Sequence, residues 1–256
     1  MAPEKYTELL EKSIQMEYKK ASPQVAKKIE TSHKNIVKKL ELQTRVFETT
    51  KREAFITVKD HKANFQQNTK CRLINPSKPE IGKISQQITE KINSTIRQKT
   101  GLKQWKNTDS VIDWFKKIQN KRNKKFIQFD VVNFYPSISS ELLAAAIQWA
   151  RQFIHISEEQ EKIIMESKKS LIFRNGQPWC KKGNSDFDVG QGSYDGAETC
   201  ELVGLYILCE LAKLNIDVGL YRDDGLAVTS ATPRQVEITK KKISKIFRKK
   251  QAGGHN

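Results

Sequence analysis

The chain has 256 residues, and its 46 Lys and Arg against 29 Asp and Glu leave a formal charge of +17 at pH 7. That length allows one or two domains with a sizeable core, and a positive excess spread along the whole chain suits a polyanion whose phosphates Lys and Arg would neutralise. Cys71, Cys180, Cys200 and Cys209 show no Cys-x-x-Cys spacing, no signal peptide opens the chain, and no apolar run approaches the ~20 residues of a membrane span. The expectation is a soluble protein of a reducing intracellular compartment, with neither a disulfide framework nor a zinc site.

Residues 4–20 and 22–44 read as two polar helices, the second opened by Ser22-Pro23, a capping hydroxyl with Pro at the first helical position. Two β-rich runs follow, Ala54–Val58 and Cys71–Ile74, joined by a polar loop, and they predict a hairpin. Its rim carries Lys59, His61, Lys62 and Arg72; cations converging there suit a triphosphate, whose oxygens accept charge-assisted hydrogen bonds, or else are solvated strand-end charges. Ile81, Ile84, Ile88, Ile92 and Ile96 fall on one face of a helix over 80–99, a core stripe. Val111, Ile112, Trp114, Phe115 and Ile118 predict a shorter helix that leads into the basic turn 120–125.

A strand is expected over Phe126–Val132, then an amphipathic helix over Ser140–Phe153 and a capping box at Ser157-Glu158-Glu159-Gln160. Leu171–Trp179 reads as a hairpin about Asn175-Gly176. In Val189-Gly190-Gln191-Gly192-Ser193-Tyr194-Asp195-Gly196 the closely spaced glycines allow the backbone to approach a ligand, and an apolar helix follows through Leu211. Thr232-Pro233 opens the last helix, with Val236, Ile243, Ile246 and Phe247 as its stripe.

The chemistry concentrates in three acids. Asp223 and Asp224 stand between two strand-like runs, Val218–Tyr221 and Leu226–Thr229, so they cap a hairpin; Asp130 ends an apolar strand. Adjacent carboxylates repel unless a cation neutralises them, and a hard dication, Mg²⁺ or Mn²⁺, prefers oxygen ligands. Pairing the Asp130 strand with the hairpin would gather the three at one sheet edge, where two such ions serve in-line phosphoryl transfer. The plainer readings are a solvated turn for Asp223-Asp224 and a helix cap for Asp130, although Ser139 or Ser140 is the better cap.

Phe129-Asp130-Val131-Val132-Asn133-Phe134-Tyr135-Pro136-Ser137-Ile138 resembles motif A of the reverse transcriptases, and Tyr221-Arg222-Asp223-Asp224 resembles their motif C. The resemblance extends over roughly residues 53–250 and looks closest to retroelement enzymes of the Penelope-like kind. Gln191-Gly192 matches the start of motif B, but Asp195-Gly196-Ala197-Glu198 stands where the family has a Pro.

The resemblance implies an α+β right-hand polymerase: an N-terminal helical extension (1–50), fingers (51–105), and a palm (106–250) whose antiparallel sheet is backed by helices. A short tail (251–256) and no thumb would follow, so little processive synthesis is expected. It also implies that Asp130, Asp223 and Asp224 hold two Mg²⁺ (or Mn²⁺) ions. Arg72, with Lys59 or Lys62, would hold the phosphates of a dNTP, Tyr135 would lie under its sugar, and Gln191 and Gly192 would pack on the new base pair. The partners are an RNA or DNA template with its primer. A non-catalytic, basic nucleic-acid-binding remnant of such an element is the alternative, and an RNA-dependent RNA polymerase is the third reading.

Overall fold

The computed structural model of the protein describes residues 2–44, 51–60, 69–77, 80–183 and 186–251, with side chains up to 248. In chain order the elements are α1 (Pro3–Glu17), β1 (Tyr18–Lys20), α2 (Pro23–Lys39), β2 (Phe55–Val58), β3 (Cys71–Ile74), α3 (Ile81–Thr100), β4 (Lys103–Gln104), α4 (Thr108–Lys117), β5 (Lys125–Asp130), α5 (Phe134–Ser137), α6 (Ser140–Ala150), α7 (Glu158–Glu166), β6 (Ile172–Arg174), β7 (Gln177–Lys181), α8 (Gly196–Ala212), β8 (Asp217–Tyr221), β9 (Asp224–Thr229) and α9 (Pro233–Gln251). They divide into two units, each built from two stretches of chain: Met1–Ile88 with Ser157–Gly196, and Thr89–Ile156 with Ala197–Asn256. No helix among the described residues is long and apolar enough to cross a membrane.

In the first unit the β2–β3 hairpin forms as its β-rich runs predict, with Phe55 opposite Ile74 and Thr57 opposite Arg72. The predicted Asn-Gly hairpin also forms as β6–β7, and Asn175 (φ 52°) and Gly176 (φ 70°) both take the positive φ that a tight two-residue turn demands. Glu53 fixes that turn: its carboxylate accepts from the amides of Asn175 and Gly176 at 2.6 and 2.8 Å.

The N-terminal residues are built into this unit. The expected helix over 4–20 ends at Glu17, and Tyr18–Lys20 instead pair antiparallel with Trp179–Lys181. Tertiary pairing overrides helical propensity there, as it readily does for an aromatic residue suited to a pleated surface. Leu10, Ile14 and Tyr18 are buried in one apolar cluster with Ala54, Ile56 and Ile172, and Ile29 of α2 joins Leu171, Phe173 and Cys180 in another. Ser22 caps α2 as predicted, its hydroxyl accepting from the Val25 amide.

The second unit is a four-stranded sheet in the order β4-β8-β9-β5. It is antiparallel except at one edge, where the two residues of β4 run parallel to Gly219 and Leu220 of β8. The expected antiparallel sheet forms over β8, β9 and β5, and β4 adds a parallel edge that two polar residues do not signal in the sequence. The register sets Phe126 opposite Val228, Gln128 opposite Leu226 and Asp130 opposite Asp224, so strict alternation places these six side chains on one face. Trp105, Trp114 and Ile118 pack on that face against Val228, Leu226 and Tyr221. On the other face Phe129 meets Phe247 of α9, with ring centroids 5.8 Å apart.

The helix stripes hold with one correction. In α3 Ile81, Ile84, Ile92 and Ile96 are buried as predicted and Ile88 partly so, with Ser85, Thr89 and Asn93 buried beside them, while Lys83, Gln87, Glu90, Lys91 and Ser94 keep the opposite face exposed. In α4 the face Val111, Trp114 and Ile118 packs inward, whereas Ile112 and Phe115, one residue further round, are 44% and 42% exposed. Asn107, Ser139 and Ser157 cap α4, α6 and α7, the last with the complete capping box.

Candidate active site

The β8–β9 hairpin closes on the pair Tyr221–Asp224, which leaves Arg222 and Asp223 as a two-residue turn. Arg222 sits at φ 55°, a left-handed conformation that costs a non-glycine residue about 1–3 kcal/mol and persists only where the surroundings impose it. Two glycines supply the surroundings. A Cβ on Gly225 would fall 2.1 Å from the Phe129 ring, and one on Gly219 would fall 2.3 Å from the Trp105 ring. The rings therefore lie directly on the hairpin backbone, and the Arg222 guanidinium lies over the Tyr221 ring at 5.5 Å.

Asp130 comes to this turn through the sheet register. It pairs with Asp224, and the ladder continues one step further as the Val131 amide donates to the Asp223 carbonyl at 2.9 Å. Directly opposed residues have Cα atoms about 5 Å apart, so Asp130 and Asp224 are same-face neighbours with Asp223 next in the chain. All three acids are exposed. Among the described residues, however, no three Asp, Glu, His or Cys side chains stand close enough to hold one metal ion. The three share one end of one sheet without converging on a single point.

Tyr135 belongs to the same neighbourhood. It lies in α5, just past Asn133 at φ 53°, and its hydroxyl shares a hydrogen bond with Cys200 of α8. Burial raises the phenol above its ordinary pKa; Cys200 and Asp223 push the same way, and Arg222 opposes them. Among the sequence-predicted residues, Asp130, Tyr135, Asp223 and Asp224 are thus brought together.

The remaining candidates lie in the first unit. Arg72 is exposed on β3 opposite Thr57, and the amide of Lys59, just beyond β2, donates to the Lys70 carbonyl at 2.8 Å. Lys62 and His61 fall outside the described residues. The Gly-rich segment meets the end of the same hairpin, where the Gln191 carbonyl accepts from the Asn75 amide at 3.0 Å. At Gly192 (φ 104°) a Cβ would stand 2.8 Å from the Asn75 carbonyl oxygen, so the close approach this glycine allows is to β3 and its following residue.

Buried charge at both ends of that segment was not legible in the sequence. Asp188 accepts from the Tyr18 hydroxyl at 2.5 Å and pairs with Lys181 at 3.3 Å. Asp195 accepts from the Ser167 hydroxyl at 2.7 Å and pairs with Lys168, both side chains of that pair being essentially inaccessible. Burial raises the Tyr18 phenol and Asp188 raises it further; burial works against the Lys181 ammonium, but Asp188 and Glu17 outweigh it and its pKa rises. The one signal for Asp195 was its place in a run of small residues; Lys168, in a Ser-Lys-Lys-Ser run, gave none.

No protein-family model matches the chain, and no curated protein does. Solved structures do share its fold. A telomerase from Candida tropicalis, truncated from its C-terminal domain, aligns with TM-score 0.55 at 16% identity, covering 86% of this chain and 52% of that one. Telomerase from Candida albicans, in complex with a TWJ fragment of telomeric RNA, aligns with TM-score 0.57 at 11% identity over 96% of this chain and 43% of the other. Candida tropicalis telomerase in the corresponding RNA complex gives 0.55 at 12%, over 88% and 43%. The chain thus spans about half or less of the length of these neighbours, and at such identity the likeness is one of fold alone, a mixed helix-and-sheet fold shared with these telomerase chains.

Proposed function

We propose that the chain is the fingers and palm of a reverse transcriptase, of a retroelement resembling the Penelope-like kind, which copies a primed RNA or DNA template into DNA. The observation that carries this reading is the cross-strand pair Asp130–Asp224 with Asp223 beside it, at one end of a sheet in a fold shared with telomerase chains. Two of those neighbours are described in complex with RNA, which supports a nucleic-acid partner here.

The donor set fits a hard dication: the three exposed acids offer only carboxylate oxygens. Mg²⁺ or Mn²⁺ held by Asp130, Asp223 and Asp224 would assist the attacking oxygen and the leaving group of phosphoryl transfer. The primer 3′-hydroxyl attacks the α-phosphate of a dNTP and pyrophosphate departs. By the same resemblance Arg72, with Lys59 or Lys62, would neutralise the triphosphate, Gln191 and Gly192 would pack on the nascent base pair, and the Tyr135 ring would exclude a 2′-hydroxyl. That exclusion ranks an RNA-dependent RNA polymerase third.

A second reading, a basic nucleic-acid-binding protein without catalysis, is favoured by one observation: no three acids among the described residues converge on one point. Primer extension on RNA and DNA templates, with dNTPs or rNTPs and with or without Mg²⁺, separates all three. The proposal expects Mg²⁺-dependent addition of dNTPs, and increased use of rNTPs relative to dNTPs in Tyr135→Ala. Binding without addition supports the second reading, and equal sugar discrimination in Tyr135→Ala removes the gate.

A further inference from the structure

The sheet face that carries Asp130 and Asp224 continues beyond them along β5 to an unused surface. Phe126 is on that face, 41% exposed, and Phe115 of α4 stands beside it at 42%, with ring centroids 5.7 Å apart. The separation along the strand from Asp130 to Phe126 is four residues, about 13 Å at strand rise. Between Asp113 and Asp130 the sequence holds no acid, but it holds Lys116, Lys117, Lys121, Arg122, Lys124 and Lys125. Lys121 places its ammonium 5.3 Å from the Phe115 ring centroid.

Of the nearby carboxylates, Asp217 is taken up by Lys103 and by the Trp114 indole, which donates to it at 3.1 Å, and Asp113 pairs with Lys116 alone among the strip's cations in the described residues, at 3.7 Å on an exposed surface. An exposed apolar patch rimmed by polar residues marks an interaction site, and where the rim is mainly lysine the partner that fits supplies both flat apolar groups and negative charge. Unpaired bases on a phosphodiester backbone supply both: a base stacks on an aromatic ring whatever its identity, and the lysines track the phosphates.

We propose that Phe115 and Phe126, with Lys116, Lys117, Lys121 and Lys124, form a stacking platform for single-stranded nucleic acid on the acid-bearing face of the second unit. The contact is non-specific in sequence and independent of metal and nucleotide, so it goes beyond the polymerase reading and can stand or fall without it.

The test is binding of the 256-residue chain to a fluorescein-labelled twelve-nucleotide oligo-dT and to an abasic oligonucleotide of the same length, in EDTA, over a salt series. Phe115→Ala and Phe126→Ala should each weaken oligo-dT binding about tenfold, the loss of roughly one stacked base, and leave abasic binding unchanged. Phe115→Tyr, which keeps the ring, should bind as the parent does. Lys121→Ala with Lys124→Ala should weaken both probes and flatten the salt dependence. Oligo-dT carrying 5-iodouracil, irradiated on the unmodified chain, should crosslink to peptides containing Phe115 or Phe126, which guards against a misfolded variant. Unchanged oligo-dT binding in both alanine variants, an equal loss on the abasic probe, or crosslinks confined elsewhere would overturn the proposal. Unchanged binding with an altered sedimentation coefficient would assign the patch to contacts between protein chains instead.

Discussion

The two units of the molecule treat carboxylates in opposite ways. In the first, Asp188 and Asp195 are buried and paired with Lys181 and Lys168, and they anchor the two ends of the Gly-rich segment. In the second, Asp130, Asp223 and Asp224 are exposed, and the hairpin that carries two of them is shaped by aromatic rings lying on Gly219 and Gly225. A buried charge is held because removing its partner leaves an unpaired ion in a medium of low dielectric; an exposed one contributes little to folding. Asp188 and Asp195 should therefore matter to the fold, and Asp130, Asp223 and Asp224 to the chemistry proposed for them.

The largest effect should come from the buried pair. Asp195→Ala or Lys168→Ala strands a buried charge, and each should cost about 3–5 kcal/mol in denaturant unfolding. Replacing both at once, Lys168→Met with Asp195→Leu, should recover most of that stability, because a well-packed apolar pair avoids the desolvation penalty. Additive losses in the double variant would show that the pair is not the structural unit described.

A smaller loss should follow from adding one methyl group to the second unit. Gly219→Ala forces the Trp105 ring off the β8 backbone and disturbs its packing on Trp114, 5.0 Å away, at a cost of about 1–3 kcal/mol without any change of charge. An unchanged melting temperature would mean that the ring does not shape the hairpin.

The smallest effect concerns pH and the first unit. Burial lowers the His33 pKa below 6.5, partly opposed by Glu166, whose carboxylate stands 3.8 Å away. The folded protein thus holds fewer protons on His33 than the unfolded chain near and below pH 6.5, so stability is full above that value and is lost as pH falls through the lower folded value. Unfolding free energies across that window should slope for the parent and flatten for His33→Gln; equal slopes would remove His33 as the cause.

How much of this was legible in the sequence follows the same division. The acid-tipped hairpin, the Asp130 strand, the Asn175-Gly176 turn and the Ser22 and Ser157 caps are each written in local residue types, and each forms. Strands β1 and β4 are not written locally: three and two residues, largely polar, become strands only because Trp179–Lys181 and Gly219–Leu220 offer them hydrogen bonds. Burial of Lys168 was equally hidden, since a lysine in a polar run reads as solvated until Asp195 is brought beside it. Phe115 misled in the opposite direction: an aromatic next to a core stripe reads as core, and a single step around the helix leaves it exposed.

The most direct test of the central claim is single-nucleotide addition to a primed template by Asp130→Asn, measured beside its thermal unfolding. Asparagine keeps the size and removes the charge, so the account predicts a loss of dNTP addition of at least about 100-fold, the scale of losing one transition-state charge stabiliser, with an unchanged melting temperature. Addition at the parental rate, or a melting temperature lowered as far as that of Asp195→Ala, would contradict it.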